Sequence, residues 1–218
     1  FSFSSRSPFL VIMDKPLGHL VLDHVSMELV SGHIYCLMAP SGTGKTTLFR
    51  ILMGLEHADS GEIIVQRKTK EAGQAAAEKV ADWQENETLQ NLCIGAVFQE
   101  DRLCENLSAA SNIRLVCTET ITDRELEEAY KAVALTEVWQ KPVRELSGGM
   151  RRRVSILRAL LADSDCVIMD EPLRGLDEKT RTKTIDYILK KTEGKTLIFV
   201  THEEKEAVWL KADRTVGI

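Results

Sequence analysis

The stretch from His33 to Leu55 constrains this chain more than any other. A short apolar run, His33–Ala39, leads into Ala39-Pro40-Ser41-Gly42-Thr43-Gly44-Lys45-Thr46-Thr47. Lys45–Leu55 then continues at helical spacing, with Leu48, Ile51, Leu52 and Leu55 on one face. A buried strand, a glycine-bearing loop and a helix in that order belong to a sheet covered by helices. Glycines let the backbone curl so that successive N–H groups converge, and the helix start adds its positive end. Such a loop is built to cradle phosphate. Lys45 is placed to reach the β- and γ-phosphates of a nucleotide, and Thr46 to offer its hydroxyl to Mg²⁺. A strict loop of this kind has glycine where Ala39 stands; alanine adds one methyl and serves at negative φ.

Three further runs, Gly95–Gln99, Asp165–Asp170 and Thr196–Thr201, read with the first as strands buried on both faces of a mostly parallel sheet. Leu20–Leu29 and Glu62–Gln66 alternate instead, which suits an antiparallel N-terminal sheet, and Asp59-Ser60-Gly61 marks the turn into the second. From Asp101 to Ala162 the pattern is helical, over Asn106–Val116, Asp123–Ala134 and Gly148–Ala162. Thr122 and Glu125 are spaced as a capping box. The expected organisation is one α/β domain, with a core over 1–100 and 162–218 and an inserted helical lobe over 101–161. Gln66–Leu92 is polar and alanine-rich, with Glu71, Glu78, Asp82, Glu85 and Glu87, and reads as a solvated insert, partly helical. A regulatory or docking element is the alternative reading of that segment.

The 218 residues carry 28 Lys and Arg against 33 Asp and Glu, a net charge of -5. That balance disfavours nucleic acid as the main partner, because phosphate backbones select basic surfaces. No stretch approaches the roughly 18–20 apolar residues of a membrane helix. Phe1–Leu10 lacks the basic-then-apolar order of a signal peptide. Cys36, Cys93, Cys104, Cys117 and Cys166 are scattered and without a CxxC pair, so they read as reduced thiols, three of them small core hydrophobes.

Asp165–Glu171 supplies the second half of the chemistry. Its apolar run ends in Asp170-Glu171, at the strand terminus where ligands of open α/β sheets bind. Asp170 would hold the Mg²⁺ shell, and Glu171 would polarise an attacking water as general base. Leu146-Ser147-Gly148-Gly149-Met150-Arg151-Arg152-Arg153 stands between the two motifs. Paired glycines at a helix start cost backbone entropy and serve to bring Ser147 and bare N–H groups against an anion. Arg151–Arg153 reads as a solvated helix face rather than a nucleic-acid patch.

Here the chain resembles the ATP-binding domains of ABC transporters, whose signature reads LSGGQ; Met150 replaces the usual Gln. The resemblance runs from about Leu20 to Asp213 and implies an α/β P-loop NTPase fold of ABC type. It implies a head-to-tail dimer in which Ser147, Gly148 and Gly149 meet the γ-phosphate held by the other subunit's loop. It also implies that Gln99, in Val97-Phe98-Gln99-Glu100, senses Mg²⁺ and the γ-phosphate, and that Asp177, in Gly175-Leu176-Asp177, lies at the dimer interface. His202, in Val200-Thr201-His202, would contact the γ-phosphate and orient water. Two departures stand out. Family members usually stack an aromatic residue on adenine, but the comparable place reads Pro16-Leu17-Gly18-His19, so that contact falls to Leu17, His19 or Phe9. The Gln66–Leu92 insert also lengthens the approach to Gln99 beyond the usual spacing.

Phe98-Gln99-Glu100-Asp101-Arg102-Leu103 and Leu146–Arg153 look most like the nitrate, sulfonate and taurine group of bacterial importers. That likeness implies ATP hydrolysis driving solute import through separate permease chains, with a solute-binding protein as a further partner. It implies a cytoplasmic place at the inner face of the cell membrane. The alternatives are an export subunit, a non-transport ABC ATPase acting on DNA or ribosomes, and a subunit that closes on ATP without hydrolysing it.

Overall fold

The computed structural model describes residues 8–14, 22, 25–38, 43–58, 60–67, 76–78, 93–117, 121–136 and 138–217. Its strands are β1 (Pro8–Asp14), β2 (Ser26–Val30), β3 (Ile34–Met38), β4 (Ser60–Arg67), β5 (Ala76–Glu78), β6 (Ile94–Val97), β7 (Cys166–Asp170), β8 (Thr196–Thr201) and β9 (Arg214–Gly217). Its helices are α1 (Lys45–Leu52), α2 (Ala109–Arg114), α3 (Asp123–Ala132), α4 (Gly148–Leu161), α5 (Glu178–Lys191) and α6 (Glu204–Trp209), with a 3-10 turn at Val143–Glu145. None of these helices is long and apolar enough to cross a membrane.

Five strands form a parallel sheet in the order β6-β7-β8-β3-β9, and four form an antiparallel sheet in the order β2-β1-β4-β5. The inner parallel strands β3, β7 and β8 are largely apolar because both of their faces are covered, and the period of two divides their side chains between two cores. Tyr35, Leu37, Cys166, Ile168, Ile198 and Val200 pack with α1 on one face. Cys36, Val97, Val167, Met169, Leu197 and Phe199 pack on the other with α4, α5 and the helices between β6 and β7. Cys36 and Cys166 are the buried thiols, pushed up by burial to about 11 and about 12. Cys117 is half-buried, and Cys93 and Cys104 are exposed.

Several boundaries differ from expectation for local reasons. α1 stops at Leu52 because Gly54, at φ +68, closes a Schellman motif: Leu55 N donates to Arg50 O and Gly54 N to Ile51 O. Leu55 is thereby turned off the apolar face and left 54% exposed, while Phe49 joins Leu48, Ile51 and Leu52 inside. β6 ends at Val97, short of Gln99, because the Phe98 carbonyl is taken by an arginine instead of a neighbouring strand. β1 is a strand that the alternation pattern did not single out; it pairs with β2 and β4. Within the expected partly helical insert, Gln66 and Arg67 extend β4 and Ala76–Glu78 pair with it. The open edge of β4 offers hydrogen bonds that override alanine's helical preference; residues 68–75 and 79–92 lie outside the described residues.

The capping box forms as expected: Glu125 N donates to Thr122 Oγ1 at 3.2 Å, and Thr122 N to Glu125 Oε2 at 2.8 Å. The first helix of the region begins only at Ala109, because Ser108 caps it. The chain before it is held by the buried Asn112 amide, which accepts from Cys104 N and donates to Cys104 O and Ser108 O.

α4 crosses β6 at Gly95, where a Cβ would run into the Ala159 carbonyl oxygen. Overpacking of this kind costs about 1–3 kcal/mol. Gly95→Ala should lower the urea-unfolding free energy by that amount, whereas Gly148→Ala, which meets nothing within 4 Å, should leave it near the original value.

Candidate functional site

The C-terminal ends of β3, β7 and β8 share one edge of the parallel sheet, and the residues that follow them converge there. Ala39, Pro40, Ser41 and Gly42 lie outside the described residues, as do Pro16–His19. Thr43 and Gly44 lead into α1, and Gly44, at φ +88, occupies the N-cap without a side-chain cap of its own. Only glycine adopts that conformation without strain. The first turn of any helix presents N–H groups that its own carbonyls cannot satisfy, and α1 opens this turn, Lys45-Thr46-Thr47, at the sheet edge.

Asp170 ends β7 almost fully buried, and Thr46 Oγ1 donates to its Oδ2 at 3.4 Å. Burial, and next the Glu171 carboxylate, hold Asp170 above the usual carboxylate range; Thr46, Arg152 and Lys45 oppose that shift. Thr46 and Asp170 line one cavity of about 200 Å³ with Gln99, Phe49, Arg50 and Phe98. A larger cavity of about 510 Å³ lies between α3 and α5 and contains none of the expected site residues.

Glu171 follows at φ +46, a left-handed conformation that a branchless but bulky side chain adopts only when its surroundings enforce it. Its N–H donates to Val200 O at 3.0 Å, which pins the turn to the end of β8. Its carboxylate lies between two bases: Oε1 is 3.2 Å from His202 Nδ1, and Oε2 accepts from Arg174 Nη1 at 3.2 Å. The Glu171 side chain is 16% exposed against 60% for His202, so the pair opens to solvent on the histidine side. Sequence reasoning did not include Arg174, although its spacing of three from Glu171 was a usable signal.

A second group forms at the start of α4. Ser147 caps that helix by accepting from Met150 N at 3.3 Å. Gly148 and Gly149 occupy the first turn, and Gly149 lies against the Gly175 carbonyl and Leu176. Asp177 caps α5 by accepting from Thr180 N at 3.0 Å, and the Thr180 side chain, followed by this backbone bond, holds its carboxyl below the usual range. Among the described residues no hydrogen bond or ion pair joins Ser147–Gly149 to Thr46, Glu171 or His202. The candidate residues thus fall into two groups, one at the sheet edge and one where α4 meets the turn before α5.

Arg151–Arg153 are not the solvated face expected of three consecutive arginines. Arg152 and Arg153 are 4% and 8% exposed. Arg153 donates to Val133 O, Ala134 O and Gly149 O. Arg152 donates to the carbonyls of Phe98, Asp170 and Glu171 and to Asp101 Oδ1. Apart from Gly149 O, in the first turn of α4, those carbonyls lie at or just past the ends of β6, β7 and α3, and they are what draws the guanidinium groups inward.

Residues 22–174 match the model of the ABC transporter family. That span includes Lys45, Gln99, Ser147–Gly149, Asp170 and Glu171, and stops before Asp177 and His202. The dimeric structure of a post-hydrolysis state of the ATP-binding cassette MJ0796, bound to ADP and Pi, is similar at 26% identity and a TM-score of 0.74. It covers 97% of this chain and 94% of that one. A dimeric structure of MJ0796 described as a bacterial ABC transporter cassette gives 27% and 0.76 over the same shares. A bacterial Atm1-family ABC exporter with ATP bound shares the fold at 21% identity and a TM-score of 0.77, over 98% of this chain but 37% of that one. Matched by the family model over well more than half its length, and built on the same α/β cassette fold, the chain belongs to the ABC transporter family.

Proposed function

We propose that the chain, acting as one domain, hydrolyses ATP as half of a head-to-tail dimer and so drives solute transport through separate membrane-spanning chains. The observation that carries this reading is the meeting of Thr46 with Asp170 and of Glu171 with His202 at one sheet edge. The residues present fit a divalent cation. Thr46, Gln99 and Asp170 offer hard oxygen donors around one cavity, and Asp170 is a buried carboxylate made costly by its neighbour Glu171. No cluster of three or more His, Cys, Asp or Glu suited to a metal exists among the described residues, so a cation here would complete its shell with phosphate and water. When bound, Mg²⁺ would neutralise charge on the β- and γ-phosphate oxygens.

The chain's own groups then divide the work. Lys45 and the first turn of α1 would hold the phosphates, together with Ala39, Pro40, Ser41, Gly42, Thr43 and Thr47. The Glu171 carboxylate would take a proton from water as the water oxygen attacks the γ-phosphorus; the bond to the bridging β-oxygen breaks, and ADP and phosphate result. His202 Nδ1 faces Glu171, which leaves Nε2 for a γ-phosphate oxygen, and Arg174 fixes the other carboxylate oxygen. Ser147 accepts from Met150 N and keeps its own O–H to donate, so Ser147-Gly148-Gly149 can receive the partner subunit's γ-phosphate. Exposed Asp177 beside that group suits the same interface. The separation of the two groups within one chain favours a site completed across a dimer, as does the dimeric form of the MJ0796 cassette.

Solute import, with a solute-binding protein and a cytoplasmic place at the membrane's inner face, is the finer reading. It rests on the sequence likeness of Phe98–Leu103 and Leu146–Arg153 to the nitrate, sulfonate and taurine importers. Co-purification with a permease, followed by transport in vesicles, decides the direction; ATP-driven extrusion from the cytoplasmic side would replace import with export.

Glu171→Gln should bind ATP while turnover falls by about 100-fold or more, and light scattering should find it dimeric with Mg-ATP and monomeric without. Wild-type turnover in this variant would remove Glu171 from the general-base role. Glu171→Gly relieves the left-handed backbone and forfeits only partly exposed ion pairs, so it should raise unfolding stability by about 1 kcal/mol while abolishing hydrolysis. Lower stability on denaturation would mean that the Arg174 and His202 contacts outweigh the strain.

A further inference from the structure

We infer that Arg152 is a positioning residue for Glu171, tying the helix that bears Ser147-Gly148-Gly149 to the water-activating carboxylate of its own subunit. The inference rests on the reading of Glu171 as general base.

The Arg152 side chain is 5% exposed and reaches three segments at once. Nη2 donates to Asp170 O and Glu171 O, each at 3.0 Å. Nη1 donates to Phe98 O and to Asp101 Oδ1, the latter at 3.1 Å. Two successive carbonyls at the end of β7 are thus held by one nitrogen, at the turn where Glu171 takes its left-handed conformation. Such a conformation persists only where several contacts over-determine it. Here the Glu171 N–H is held by Val200 O, and its carbonyl is held by both Arg174 N and Arg152. The β8 strand contributes the first contact, the turn itself the second and α4 the third.

The Phe98 carbonyl is the residue before Gln99, so the same guanidinium also fixes the departure of the chain from β6 toward the cation cavity. Arg152 stands five positions beyond the Ser147 cap, roughly 7.5 Å along the helix. A helix this short moves as a rod. Displacement of the α4 start, when it engages the partner's phosphate, is carried by Arg152 to Glu171 and Gln99. Asp101 balances the buried charge, and burial raises its carboxyl against the opposing pull of Arg152. Lysine cannot substitute: its three donors on a point charge lack the planar fork that spans the Asp170 and Glu171 carbonyls on one side and Phe98 O with the Asp101 carboxylate on the other.

The test compares Arg152→Lys with the paired variant Arg152→Met/Asp101→Asn, which removes the cation with its counter-charge and leaves no orphaned carboxylate. ATPase kcat and KM are measured well below each melting midpoint, with ATP-driven dimerisation followed in a Glu171→Gln background. The expected result is a kcat reduced on the order of 100-fold, as for a misplacement of about 1 Å. KM for Mg-ATP should stay within about twofold and dimerisation should be retained. A folded Arg152→Lys or paired variant with kcat near wild type overturns the inference. So does a rate that falls only in proportion to the folded fraction, or a rise in KM that accounts for the loss. Glu171→Gln run alongside separates the two readings. If it turns over normally, the general-base reading fails and this one falls with it. If it is inactive while Arg152→Lys is fully active, the positioning role alone fails.

Discussion

A guanidinium carries five donors and no acceptor, so it leaves water only where enough oxygens meet it. α4 satisfies this condition repeatedly, and the rest of the structure is arranged around the result. Arg151 donates to Arg144 O and Leu146 O, Arg153 to the end of α3, and Arg158 to Asp101 O and Arg102 O. Arg152 takes the ends of β6 and β7. Each guanidinium donates charge-assisted bonds to carbonyls that lie mostly at or beyond the end of an element. Removing Arg152 or Arg153, the two buried ones, would leave buried oxygens unpaired beside a cavity, which is more costly than losing a surface ion pair.

That arrangement matters because the proposed chemistry draws its residues from strand ends. Parallel strands place all their C-termini on one edge, so β3, β7 and β8 deliver α1, Asp170-Glu171 and Thr201-His202 to the same place. A strand end is also where backbone order would otherwise fade. Here it is stiffened: Glu171 N is pinned to β8, its carbonyl to α4, and Asp170 to Thr46. The unfavourable terms are confined to this edge as well. They comprise a left-handed Glu171, two adjacent carboxylates and a buried Asp170 held above its usual range. Such terms are opposed by the two apolar faces of the sheet, and they leave two adjacent carboxylates at the proposed cation site.

Much of this was legible in the residues. Continuous apolar runs identified β3, β7 and β8 because burial on both faces leaves no polar position to confuse the pattern. Thr122 was readable as a cap because capping follows local rules that need no tertiary information, whereas Ser147 and Asp177, read only for phosphate and interface contacts, also cap α4 and α5. β1 was missed because its pairing depends on strands distant in sequence, and β5 because three residues beside an open edge carry no periodicity. Leu55 was misplaced because helical spacing alone does not register that Gly54 ends the helix one turn earlier.

The sequence by itself determined the family, the chain order of the buried strands β3, β6, β7 and β8 with α1 after the first of them, and the candidate residues for phosphate-binding and carboxylate chemistry. Each of these depends on residue type and short-range spacing. Only the tertiary structure decided which of those residues meet. Asp170 with Thr46, Glu171 with His202, and Gly149 with Gly175 are contacts between segments tens of residues apart or more. The three arginines after Met150 make the same point. In one dimension they are a charged run that belongs in water, and in three dimensions two of them are buried, because the carbonyls that accept them exist only once β6, β7 and α3 have ended beside α4.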